Sequence, residues 1–184
     1  NNTKDGGCYS DEFVQKHEPK TFPAILNANG YTTFYAGKYL NEYYSKEVPV
    51  GYDEFYGLHG NSKYYNYSIT ANGIIEKHGD DPDEDYYPNV IRKQAKEFLS
   101  KQTKEKPFMA MISPPSCHEP FTPEEKYKDT LANLTAPRSA NFNVAAKEFE
   151  KHWLMTMSPH KLSDSTVDLI DEFYHRRLET LLTI

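Results

Sequence analysis

Valine, isoleucine and leucine are scarce in this chain, 26 of 184 residues or about 14%. A large α/β core ordinarily draws on more of them. Long hydrophobic runs are absent too, and no stretch approaches the roughly 18–20 apolar residues of a membrane span. Basic residues do not dominate: 21 Lys+Arg stand against 27 Asp+Glu, for a net charge of −6. That balance, with a pI near 5.6, excludes a basic nucleic-acid-binding arm. Two cysteines are too few for a disulfide scaffold or a four-cysteine zinc site. Cys8 and Cys117 leave open one disulfide, bridges to other segments, or free thiols. A Walker loop, G-x-G-x-x-G, G-x-S-x-G and H-E-x-x-H are all missing.

What is abundant is aromatic surface. Tyr 15, Phe 10 and Trp 1 make 26 aromatic residues. Such side chains bury large areas, which with the modest net charge argues for a folded chain. The length suits one domain, or a large piece of one. The chain starts Asn1-Asn2-Thr3, with neither an initiator methionine nor an apolar leader, as expected of a processed or excised product or of a sequence whose start is missing. Sequons headed by Asn1, Asn66 and Asn133 point to secretory passage and mark three candidate glycosylation sites.

The element pattern is α/β. Thr21 is a candidate N-cap, Pro23 suits a first turn, and Ala24 to Ala28 make a short apolar helix closed by Gly30. Tyr31 to Ala36 is β-branched and aromatic and predicts a strand. Residues 48–60 read as an irregular loop. Residues 63–78 read as a hairpin, because Asn72-Gly73 suits a type I′ turn. Val90, Ile91, Ala95, Phe98 and Leu99 mark an amphipathic helix starting near Pro88. Phe108 to Ile112 is a continuous apolar run, the pattern of a buried parallel strand. Residues 122–162, rich in Pro, Asn and Lys, are expected to wrap the surface. Ser163-Asp164-Ser165 then opens a helix with an apolar stripe at Val167, Ile170, Tyr174, Leu178 and Leu181. That stripe runs to Ile184 without a stop signal, the pattern of a cut helix or of a frayed natural terminus.

In open α/β sheets ligands bind beyond the carboxyl ends of the strands. Lys38 follows one predicted strand and His118 follows another. Lys38 reads as an anion-binding cation or a solvated surface lysine, and His118 as a proton donor or a structural loop histidine. Cys117, beside His118, reads as a disulfide partner or plain thiol rather than a nucleophile. The acidic run Asp80 to Asp85 lacks the EF-hand pattern and reads as a solvated loop. His152-Trp153 could line a sugar site or belong to a core.

Thr21-Phe22-Pro23-Ala24-Ile25-Leu26 and Gly37-Lys38-Tyr39-Leu40-Asn41-Glu42-Tyr43 give these elements a family context. So do Asn61 to Tyr67, Lys77-His78-Gly79, Asn141-Phe142-Asn143 and Lys151-His152-Trp153-Leu154. The chain resembles the sulfatase family, above all its glucosamine-6-sulfatase branch, with the extracellular endosulfatases next. The resemblance implies an alkaline-phosphatase-like fold, with a mostly parallel central sheet flanked by helices. It implies hydrolysis of 6-O-sulfate on N-acetylglucosamine units of heparan- or keratan-type glycosaminoglycans, in a lysosomal or secreted protein. Calcium and a formylglycine made from a C-x-P-S-R cysteine are the family's catalytic groups. By its motifs Lys38 and His118, the latter in His118-Glu119-Pro120, are catalytic, and Asn41, His152 and Trp153 contact substrate.

The chain also departs from that pattern. Cys8 precedes Tyr9-Ser10-Asp11 and Cys117 precedes His118-Glu119-Pro120, so neither sits in C-x-P-S-R. No Asp-Asp pair stands in an N-terminal strand, Asp80-Asp81 being in the wrong place, and the Asp-Asn-Gly segment is missing, so the expected metal ligands lie outside this chain. Residues 1–184 are therefore expected to be the central part of one sulfatase catalytic domain, truncated at both ends and inactive alone. Competing expectations are a non-catalytic glycan-binding relative and a phosphoesterase of the same superfamily.

Overall fold

The computed structural model describes residues 8–145, 152–153, 157 and 161–184. The chain divides into two compact units, residues 1–120 and 121–184. Asn1, one of the three sequon asparagines, falls outside the described residues, as do Lys151 and Leu154.

The first unit is built around one sheet. Helix α1 (Phe22–Ala28) carries a proline in its first turn. Thr21 holds the N-cap position, but its hydroxyl donates to the Glu18 carbonyl (2.8 Å) rather than accepting from the helix amides. The helix ends in a Schellman motif: Gly30 N–H donates to Asn27 O at 3.0 Å and Tyr31 N–H to Leu26 O at 3.1 Å. Gly30, at φ +88°, supplies the left-handed residue this motif needs.

The chain turns directly into β1 (Thr32–Gly37), which is buried from Thr33 onward and lies inside the sheet. Strands β2 (Glu54–Leu58) and β5 (Phe108–Ser113) pair with it on either side, both parallel. Strands β3 (Ser68–Ala71) and β4 (Ile74–Lys77) add an antiparallel hairpin, giving the order β4-β3-β2-β1-β5. Asn72 and Gly73 take φ of 49° and 89°, as a type I′ turn requires.

Two clusters flank the sheet, and both rest on rings. Side chains alternate along a strand, so Phe34 and Ala36 face one way and Tyr35 the other. Helix α2 (Tyr87–Ser100) covers the first face with Tyr87, Ile91, Ala95 and Phe98, which join Phe34, Ala36, Leu58, Tyr67 and Ile69. On the other face Tyr35, Tyr43 and Phe55 pack with Tyr9, Tyr39, Val48 and Tyr52. Tyrosine here supplies the volume that valine, isoleucine and leucine do not.

Two expectations are corrected. Residues 48–60 are not all irregular, since β2 lies among them. Gly57 weakens its strand signal, yet the gap it leaves is filled: a Cβ there would stand 2.4 Å from the Phe55 ring. The apolar run at 108–112 is a strand but is not buried: Phe108, Met111 and Ile112 are 42%, 38% and 49% exposed. Among the described residues β5 pairs only with β1 and forms the sheet edge.

In the second unit helix α3 (Asp164–Leu181) begins where Ser163 Oγ accepts from Thr166 N–H. The expected apolar stripe is only half-buried, and Leu181 is exposed. Polar anchors hold the helix instead. Arg138 pairs with Asp171 at 2.6 Å, and the buried Glu179 carboxylate accepts from Leu131 N–H at 3.0 Å. Among the described residues no helix is long and apolar enough to cross a membrane.

Candidate functional site

Parallel strands β1 and β5 end side by side, and each delivers one candidate residue. At the end of β1, Gly37 takes φ +128°, and a Cβ there would stand 2.0 Å from Ser113 O. Only glycine lets the two strand ends close at this point. The next residue continues the ladder, with Lys38 N–H donating to Ser113 O at 2.9 Å. Beyond β5 the chain turns at Pro115, whose carbonyl accepts from His118 N–H at 2.7 Å. The buried Tyr64 hydroxyl then donates to the His118 carbonyl at 2.9 Å.

Lys38 and His118 thereby line one cavity of about 560 Å³, together with Asn41, Asn61, Ser62 and Ser113 to Cys117. None of these residues is a carboxylate. Lys38 Nζ donates to Asn41 Oδ1 at 2.5 Å and to the Gly60 carbonyl at 2.8 Å. An ammonium has three donors, so one remains for an anionic oxygen in the cavity. Burial lowers the Lys38 pKa below the ordinary lysine value, and the nearby Glu42 and Cys8 act in the opposite direction.

The His118 ring is oriented by its own loop. Nδ1 lies 2.8 Å from the Glu119 carbonyl oxygen. A carbonyl only accepts, so Nδ1 carries a hydrogen. Nε2 is then the atom through which this ring takes or gives a proton. A polarising cation and an oriented imidazole, whose Nε2 can carry a second proton, on one carboxylate-free cavity suit the cleavage of an anionic ester, where negative charge grows on departing and spectator oxygens.

Of the residues singled out from sequence, Lys38, Asn41 and His118 share this cavity. His152 and Trp153 lie in the second unit, their ring centroids 5.7 Å apart, with Trp153 64% exposed. The chain's one tryptophan is thus not a core residue. Asn66 and Asn133 are both exposed. Among the described residues Cys8 and Cys117 form no disulfide. Sequence reasoning passed over Asn61, Ser62, the Gly60 carbonyl and Tyr64. The string Asn61-Ser62-Lys63-Tyr64 stood out only as part of a resemblance, and nothing in its periodicity marks a cavity wall.

The residues present do not fit either of the family's catalytic groups. Among the described residues no three His, Cys, Asp or Glu side chains come together as a metal site. Neither cysteine stands in a C-x-P-S-R sequence. The candidate groups that this chain brings to the cavity are Lys38, Asn41 and His118.

Comparison with known proteins places this geometry in context. The Sulfatase family model matches residues 2–182. N-acetylglucosamine-6-sulfatase of Bos taurus is 39% identical over 191 aligned residues, covering all of this chain and 34% of that protein. The extracellular sulfatase SULF-1 homolog of Drosophila melanogaster is 35% identical over 159 residues, 85% of this chain and 14% of that protein. A solved structure of a protein in complex with its substrate, D-glucosamine-2-N,6-O-disulfate, superposes with a TM-score of 0.54 at 27% identity. It covers 66% of this chain and 23% of that one. The chain spans about a third of the length of the N-acetylglucosamine-6-sulfatase it matches.

Proposed function

Because the chain belongs to the sulfatase family, we propose that the protein containing it is a sulfuric ester hydrolase. Its substrates are the 6-O-sulfated N-acetylglucosamine units of heparan- or keratan-type glycosaminoglycans. The carrying observation is the cavity that Lys38 and His118 share without a carboxylate. The similarity to N-acetylglucosamine-6-sulfatase supports the choice of sugar and sulfate position, as does the likeness to a protein solved with a 6-O-sulfated glucosamine.

In this reading Lys38 Nζ binds a sulfate oxygen and stabilises the charge that develops there. Asn41 Oδ1 and the Gly60 carbonyl fix where that ammonium stands. His118, its ring protonated on both nitrogens, gives the Nε2 proton to the departing sugar oxygen and keeps the Nδ1 hydrogen on the Glu119 carbonyl, so that the alcohol leaves neutral. Residues 1–184 are the middle part of one catalytic domain, and alone they do not turn over substrate. Calcium and formylglycine, which the family implies, are supplied outside the described residues. A lysosomal or secreted location follows from the same reading and from the sequons at Asn66 and Asn133.

The test is sulfate release by the full-length protein from N-acetylglucosamine-6-sulfate and N-acetylgalactosamine-4-sulfate, beside phosphate release from N-acetylglucosamine-6-phosphate. Release from the first alone is expected. Release of phosphate instead would assign the protein to phosphoester chemistry, and no release from any would leave a binding protein.

A further inference from the structure

A second cavity opens beside the first, at the same end of the parallel strands. It measures about 410 Å³, and its lining includes Tyr44, His59, Asn61, Lys63, Lys77 and His78. Strand β2 runs parallel to β1, so the residues that follow β2 emerge at the strand ends where Lys38 stands. The two cavities share a wall there. Asn61 lines both, and the Gly60 carbonyl that holds Lys38 Nζ belongs to a residue of the second.

The lining is unusual for this chain. The protein as a whole is acidic, yet this cavity's lining holds two lysines and no carboxylate. Its charge rests on those lysines, since His78 is paired with Asp85 at 3.2 Å and burial lowers the His59 pKa. A site of that charge selects anions. An aromatic wall accompanies it, since Tyr44 is 61% exposed. Gly60, at φ +71°, makes room for that ring: a Cβ there would stand 2.6 Å from the Tyr44 hydroxyl oxygen. His59 is held by its Nε2, 2.8 Å from Thr70 Oγ1. The Thr70 hydroxyl spends its own hydrogen on the Ser45 carbonyl at 2.6 Å, so His59 Nε2 is the donor of that pair. Cationic groups beside an exposed aromatic ring suit an acidic sugar, whose C–H face rests on the ring while its anion meets the ammonium groups.

We propose that this second cavity binds the neighbouring unit of an acidic saccharide, its carboxylate or sulfate facing Lys63 and Lys77, while the 6-O-sulfate under attack lies at Lys38. An acidic oligosaccharide is then a better substrate than the lone sugar. The inference rests on the sulfatase reading of the first cavity.

The test compares the full-length protein with its Lys63→Ala/Lys77→Ala variant. Four substrates carry the same 6-O-sulfated glucosamine: the monosaccharide, and disaccharides whose second unit is neutral, carboxylated or sulfated. The variant is expected to lose about tenfold or more in kcat/KM on a charged disaccharide, the scale of a lost hydrogen bond to a charged group. It should stay within about twofold of the parent on the monosaccharide and the neutral disaccharide. The charged disaccharide that loses more identifies the anion the cavity takes. Asn66 lines the same cavity and heads a sequon, so each comparison is repeated with Asn66→Gln to remove any glycan there. Equal losses on all four substrates, or none on the charged pair, overturn the proposal. Should the parent protein release sulfate from none of them, the reading of the first cavity fails instead. Calorimetric binding of the charged disaccharides then decides the second: binding weakened in the variant upholds it, and unchanged or absent binding overturns it.

Discussion

The Tyr64 hydroxyl donates to the carbonyl of His118, 54 positions away in sequence, at 2.9 Å. Tyr64 is buried, and its oxygen also lies 3.4 Å from the Pro115 carbonyl. One side chain thus ties both ends of the turn that presents the His118 ring. Tyr64→Phe keeps the packing and removes the tie, at a cost of about 0.5–1.5 kcal/mol in stability. Turnover by the full-length protein is expected to fall about threefold to tenfold, the same energy read as a rate. Parallel urea unfolding separates loss of position from loss of fold.

If His118 protonates the leaving oxygen, its importance depends on the leaving group. His118→Ala should lower kcat on a sugar 6-sulfate by about 10²-fold or more. On a nitrophenyl sulfate, whose phenolate departs without help, the loss should be several times smaller. Equal losses on both substrates would leave His118 as a binding residue only.

Gly37 allows β1 and β5 to close at the base of the cavity. Gly37→Ala places a methyl group 2.0 Å from Ser113 O at φ +128°. A forced left-handed or sparsely populated backbone costs about 1–3 kcal/mol before the clash is counted. The expected result is a lower unfolding midpoint in urea together with reduced turnover, since Lys38 is the next residue. An unchanged midpoint would mean that the strand ends do not meet this closely.

Glu18 is a carboxyl with 2% of its surface exposed. It accepts from Val50 N–H at 3.2 Å and from the Tyr39 hydroxyl at 3.4 Å. Burial raises its pKa above the ordinary 4.5, and these two donors only partly oppose that. A raised folded pKa gives stability that is complete below the unfolded pKa and is lost as pH climbs through the folded value. Glu18→Gln fixes the neutral form. It is expected to be more stable than the parent at pH 7.5, with the gap closing towards pH 4 in urea titrations. A gap that widens on acidification would mean that the ionised carboxylate is the favoured form.

Much of this arrangement was legible in the sequence because it is encoded locally. Pro23 and Gly30 bracket α1, Asn72-Gly73 sets the hairpin, and the spacing of Val90 to Leu99 draws α2. Lys38 and His118 could be found because a position just past a strand is visible in one dimension. What failed depends on neighbours. Gly57 hides β2 until the Phe55 ring is seen to occupy its missing side chain. The apolar run of β5 promises burial, but burial needs a partner on each side, and among the described residues β5 has only β1. The groups that hold Lys38 and His118 in place include the Gly60 carbonyl and the Tyr64 hydroxyl, brought in from 22 and 54 positions away. A backbone acceptor carries no signature in a residue string.

The account turns on Lys38 and His118 acting on the same sulfate. The most direct measurement is single-turnover sulfate release from N-acetylglucosamine-6-sulfate by the full-length protein, its Lys38→Ala and His118→Ala variants, and the double variant. Each single change should slow release at least about tenfold, and the double variant should lose less than the product of the two, because the groups serve one transition state. Near-parental rates in both single variants would contradict the assignment of this cavity as the place where the sulfate ester is cleaved.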